Sequence, residues 1–177
     1  MILSFIEYFD TKKQKPTYFR EKIWAGPGKS SFDCNGTRMI CDLKAANAES
    51  EFRTGSPIVK LLKPKLHTIR EDSHDQWEPG MTIQMVYRGA GYKIKDEFNK
   101  GIQELSKCVS VQKIRFEWHR RPYSINRCKV YIDDVIQNTE QVEILAINDG
   151  FDSIHDFFAW FEKNFTGKII HWTDLRY

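Results

Sequence analysis

Residues Val109-Ser-Val-Gln-Lys-Ile-Arg-Phe-Glu-Trp118 alternate apolar and polar side chains over ten positions. A chain with that period keeps one edge of the pleat in a core and the other in contact with water. It therefore requires partner strands and something apolar to cover one face. A second pattern supplies the cover. Asp152 or Ser153 caps a helix in which Ile154, Phe157, Phe158, Phe161 and Phe165 recur at helical spacing, and Gly167 is placed to stop it. An aromatic stripe of this kind is a core face, not a ligand box.

Around these two patterns the rest of the chain falls into short pieces. Ile2 to Phe9 reads as a first strand. Thr17 to Gly26 reads as a short helix with Thr17 as N-cap, Gly26 at its end and Phe19, Ile23 and Trp24 as its buried stripe. Met81 to Tyr87 alternates as a strand launched by the Pro79-Gly80 turn, and Lys129 to Asp133 forms another. Thr139 to Asn148 carries Val142, Leu145 and Ala146 on one helical face, with Thr139 as cap and Gly150 past the end. Ile169 to Trp172 closes the chain as a strand. Short strands with helices at the ends and joints specify an α+β class, a small mixed β-barrel with flanking helices. The 177 residues fit a single domain, 1–177, with residues 27–60, rich in Ser, Asn and Gly, as an insertion. Gly26-Pro-Gly-Lys-Ser-Ser31 is no P-loop, because Ile23 stands where that pattern needs glycine and no buried strand leads into it.

Charge and composition narrow the function classes. A net charge of +3 is far from that of a blanket duplex-binding protein, so a nucleic-acid partner would be read locally. The aromatic fraction of 14% is enough to supply stacking platforms as well as a core. No apolar run approaches the roughly 20 residues of a membrane span, and the N-terminus lacks the pattern of a secretory signal. Cys34, Cys41, Cys108 and Cys128 contain no CxxC pair, and the five histidines are scattered. A cytoplasmic protein with reduced thiols, no metal and no cofactor is expected, with the oligomeric state left open.

The densest chemistry lies in Lys65-Leu-His-Thr-Ile-Arg-Glu-Asp72, closed by Trp77-Glu-Pro-Gly80. A lysine beside a threonine hydroxyl can act as the base for a nucleophile if burial or a nearby cation lowers its pKa. A carboxylate is then needed to orient the lysine. In an extended segment Thr68 and Arg70 share a face while Lys65 points away, whereas a turn over Pro64–His67 brings Lys65 and Thr68 together. Equally, Arg70 could pair with an acid, Thr68 cap a turn and Lys65 stay in solvent.

Lys65-x-x-Thr68-Ile69-Arg70 followed by Trp77-x-x-Gly80 resembles the signature of ASCH domains, members of the PUA-like superfamily of small β-barrels associated with RNA. Phe19 to Gly26 and Asn148-Asp-Gly-Phe-Asp-Ser153 resemble the family's flanking blocks, and phage and prophage proteins of this type are similar. The resemblance covers about half the chain, and residues 27–60 interrupt it. It implies an RNA- or nucleotide-binding cleft lined by the K-x-x-T-I-R segment, with no membrane partner. As an alternative it implies an amidohydrolase acting on N-acylated nucleosides such as acetylated cytidine. Under the alternative Lys65 is the base, Thr68 the nucleophile, and Asp149 or Glu143 stands for the family's glutamate. Aspartate is one methylene shorter, and a catalytic contact misplaced by about 1 Å costs about a hundredfold. Ligand-binding candidates are Arg70, His67 and Trp77, with Arg88, Tyr92, Arg120, Arg121 and Tyr123 in two loops that mix cations with aromatics.

Overall fold

The computed structural model describes residues 1–9, 15–26, 31–34, 37–40, 60–61, 63–88, 94–97, 99–100, 103–119 and 128–177. Their centre is a five-stranded antiparallel sheet of β5 (His67–Arg70), β8 (Ser110–Trp118), β9 (Cys128–Ile132), β10 (Val135–Ile136) and β11 (Phe165–His171), in the order β10-β9-β8-β11-β5. A second sheet sets β1 (Ile2–Phe5) parallel to β6 (Gln84–Arg88), with β7 (Ile94–Glu97) antiparallel on its other side. The segment read as an insertion contributes the hairpin β2 (Ser31–Cys34) and β3 (Thr37–Ile40), with β4 (Lys60–Leu61) parallel to β3. The helices among the described residues are α1 (Phe19–Ala25), α2 (Thr139–Asn148) and α3 (Ile154–Trp160). The architecture is α+β as expected. The sheets remain open among the described residues, with no strand pairing that closes a barrel.

The five-stranded sheet separates two cores. On one side Ile170 and Val111 meet Leu3, Phe5, Ile23 and Met85. On the other Ile69, Ile114, Phe116 and Ile169 meet Val142, Leu145, Phe157 and Phe161 from α2, α3 and the turn that follows. β8 passes between them. Its apolar phase changes at Gln112–Lys113, so Val111 faces the first core while Ile114 and Phe116 face the second. Each buried ring or branched chain removes enough apolar surface to contribute about 1.5–3 kcal/mol before entropy is counted.

Three local expectations are corrected. Asn138, not Thr139, caps α2, in a reciprocal box with Gln141 at 2.9 and 2.8 Å. α1 begins at Phe19 after Tyr18 at φ +53°, and the Thr17 hydroxyl donates to the Ile6 carbonyl at 2.7 Å. α3 ends at Trp160, seven residues before Gly167. Phe161 leaves the helix to stack on Phe116 at 4.8 Å, and Phe165 opens β11. The stripe is core as expected, but it is shared between a helix and a strand.

Gly167 therefore has a packing role instead of stopping a helix. A Cβ there would lie 2.2 Å from the Arg70 carbonyl oxygen, across the β5–β11 pair. Gly167→Ala is expected to lower stability by about 2 kcal/mol or more through overpacking against backbone. Urea denaturation checks it, and an unchanged midpoint would contradict it.

Candidate functional site

α2 ends in a Schellman motif. The Phe151 amide donates to the Ala146 carbonyl at 3.0 Å and the Gly150 amide to Ile147 at 2.9 Å, with Gly150 at φ +89°. This leaves Asp149 as the C-cap, with both its carboxylate and its carbonyl at the negative end of the helix. The segment entering β5 is tied beside it, because Leu66 donates to the Asn148 carbonyl at 2.8 Å and Lys65 to the Lys22 carbonyl at 2.9 Å. Since β5 starts only at His67, strand alternation does not govern Lys65. It turns inward, and its Nζ donates to Asp149 Oδ1 at 2.6 Å and to the Asp149 carbonyl. A Cβ on Gly150 would sit 3.0 Å from Lys65 Cδ, so the glycine serves both the turn and the lysine's path.

Lys65 and Asp149 are 1% and 3% exposed. The lysine's ammonium also lies 4.7 Å from the centre of the Phe19 ring. Burial pulls its pKa down to about 8, against the opposing charge and hydrogen bond of Asp149, with Arg70 and Lys22 adding to the fall. Burial raises the Asp149 carboxyl although Lys65, Arg70 and the Ile69 amide stabilise its anion. His67 is fully buried and held well below the ordinary histidine value by burial, the Lys65 cation and His171.

Arg70 completes the group. Its Nη2 donates to the Ser4 carbonyl at 2.6 Å and its guanidinium lies 5.2 Å from the Phe5 ring centre. Among the described residues no carboxylate stands within ion-pair distance of it. Lys65, Thr68, Arg70 and Asp149 line one cavity of about 40 Å³, with Phe19, Phe151 and Trp160 among its walls. That volume suits a water or a small substituent, since a water occupies about 30 Å³ in the liquid. Trp160 is 47% exposed at this site.

The remaining candidates lie elsewhere. Glu143 is exposed on α2 and does not join the cluster. Trp77 belongs to the first core, where its carbonyl accepts a hydrogen bond from Lys168 at 3.3 Å. His67 is absent from the cavity wall and faces Asp149 from a different side. Arg88 ends β6, while Tyr92, Arg120, Arg121 and Tyr123 lie outside the described residues. A wider groove of about 540 Å³ is lined by Lys113, Arg115, Tyr131 and Lys168, of which Lys168 is paired with Asp72 and Asp75 at 3.1 and 2.8 Å and Arg115 with Glu117.

Trp160 is the residue that sequence reasoning missed. Its signal was a large aromatic off the Phe157–Phe161 stripe, which a purely structural helix would place in water at a cost in solubility. Comparison with family models, with curated proteins and with solved structures gave no match. Among the described residues no group of three or more His, Cys, Asp and Glu could hold a metal. No described helix is long and apolar enough to cross a membrane.

Lys65 releases its proton more readily folded than unfolded, so its contribution to stability rises with pH between about 8 and its ordinary 10.5 and opposes folding below that window. Titration of the Lys65 side chain by NMR is expected to show a midpoint near 8. Asp149→Asn should move that midpoint lower, because it removes the charge that favours the ammonium. A midpoint at the ordinary lysine value would contradict the described burial.

Proposed function

We propose that this chain is an ASCH-type, PUA-like domain that binds RNA or a nucleotide at the cleft of Lys65, Thr68, Arg70 and Asp149. The observation that carries the reading is the charge count at the cavity. Two cations, Lys65 and Arg70, line it with one carboxylate, Asp149, which is paired with Lys65 at 2.6 Å. Burying charge costs several kcal/mol per ion, and an incompletely neutralised cluster is costlier still. A perturbed cluster of this kind in a cleft is a candidate functional site. Beyond its bond to the Ser4 carbonyl, Arg70 has guanidinium donors without a partner among the described residues, in a planar fork suited to phosphate or to a base edge. Trp160 offers an exposed ring on which a base can stack, an interaction worth about 1–3 kcal/mol. With room for only a small group inside, the base would rest at the mouth and send one substituent inward.

Trp160 fluorescence during titration with ribonucleoside 5′-monophosphates and short single-stranded RNA tests the reading. Quenching is expected, with affinity weakened about tenfold or more by Arg70→Ala, as the loss of a charge-assisted hydrogen bond implies. Thr68→Ala should bind nearly as wild type. No response from any of these ligands at high protein concentration would contradict it.

One observation favours the hydrolase as a second reading. An amine with its pKa near 8, a carboxylate 2.6 Å away and the Thr68 side chain meet at one cavity. Neutral Lys65 would take the Thr68 hydroxyl proton while its oxygen attacks the acyl carbon. The C–N bond would then break, with that proton returned to the leaving amine, and water would release the acid from the threonine ester. Asp149 reaches the lysine despite its shorter side chain, because the helix terminus brings its backbone in close. Acetate release from acetylated cytidine, lost in both Lys65→Ala and Thr68→Ala, is the expected result under this reading. Turnover that survives Thr68→Ala would exclude threonine as nucleophile.

A further inference from the structure

His67 is fully buried, yet it belongs to neither hydrophobic core and does not line the cavity. Its Nε2 lies 2.7 Å from the Tyr177 hydroxyl, and Asn148 Nδ2 donates to that same hydroxyl at 3.0 Å. Its Nδ1 faces Asp149 Oδ1 at 3.7 Å and has no hydrogen-bond partner among the described residues. Tyr177 is itself fixed, since its amide donates to Gln112 Oε1 at 3.0 Å and its carbonyl accepts from Gln112 Nε2 at 2.9 Å. His171 sits directly across the β5–β11 pair, its ring centre 5.3 Å from that of His67.

A phenol hydroxyl has one proton to give. With the Asn148 N–H accepted, the buried Tyr177 hydroxyl has its own proton to place, and His67 Nε2 at 2.7 Å is an acceptor within reach, an arrangement that would put the ring proton on Nδ1. Electrostatics gives the same assignment independently. An Nδ1 lone pair aimed at a buried carboxylate would be repelled, whereas an Nδ1–H is attracted.

We propose that Tyr177 and His67 form a positioning relay behind Asp149. Tyr177 fixes His67 as the Nδ1–H tautomer, and that N–H steadies the carboxylate that holds Lys65. The role rests on the reading of Lys65 and Asp149 as the working pair of the cleft. When a ligand draws Lys65 away, Asp149 loses its closest donor in a dry site. Closing the 3.7 Å gap to His67 then supplies a replacement and keeps the carboxylate anionic. The groups facing Lys65 and Asp149 throughout are Arg70, Lys22 and His67, with His171 behind His67.

Nitrogen-15 NMR of histidine-labelled full-length protein tests this without any ligand, with His67 assigned against His67→Asn. The expected spectrum has His67 Nδ1 as the protonated nitrogen and Nε2 as the acceptor. Tyr177→Phe removes the donor to Nε2. It should shift the His67 Nε2 resonance and move the Lys65 titration lower, with the thermal transition still cooperative. A wild-type spectrum with the proton on Nε2 would overturn the relay. So would unchanged His67 shifts and Lys65 titration in a folded Tyr177→Phe. If that variant does not fold, the wild-type tautomer still decides. Failure to bind nucleotides would sink the proposed function yet leave this tautomer result standing, so the two failures are distinguishable.

Discussion

The ion pair between Lys65 and Asp149 joins the segments that line the candidate cleft. It ties the approach to β5 to the end of α2, at the place where α1 also contributes Lys22. Lys22 donates to the Gly150 carbonyl and to Asp152 Oδ1, each at 2.7 Å, so two ammonium groups meet the negative end of one helix. A helix terminus stabilises such cations by up to about 2 kcal/mol when partly buried. Against that gain stands the desolvation of a fully buried lysine, which is the largest influence on its pKa and pulls it down.

The geometry also limits what the cleft can accept. A cavity of about 40 Å³ has room for a water or a small substituent at its inner end. Under the proposed function recognition would be divided, with a ring stacked outside on Trp160 and a small group held inside by Lys65, Thr68, Arg70 and Asp149. Binding and hydrolysis differ only in whether Thr68 attacks what is held there. The relay through His67 would serve either, because both need Asp149 charged while Lys65 is engaged.

Much of this was legible in the sequence, for identifiable reasons. Strand and helix periods located β8, β11 and α2, and the polar density of Lys65–Asp72 pointed to the hub. Gly150 marked the end of α2 because only a glycine tolerates the backbone conformation that the motif requires. What could not be read was tertiary. Gly167 resembles a helix stop until β5 is placed against it, and the cap of α2 lies one residue earlier than the threonine suggests. Glu143 and Asp149 were separable only once the helix was rotated against β5. Tyr177 and Trp160 carried no motif at all, and their positions follow from how residues 173–177 and α3 fold back onto the sheet.

The most direct test of the central claim is the stability of the double variant Lys65→Met, Asp149→Leu, measured by chemical denaturation. If the pair exists for chemistry, replacing both charges with apolar groups of similar size should leave the fold as stable as wild type or more so, as buried pairs elsewhere behave. A double variant less stable than wild type by about 3 kcal/mol or more would show instead that the pair holds the fold together. The cleft would then be a structural feature and no ligand site.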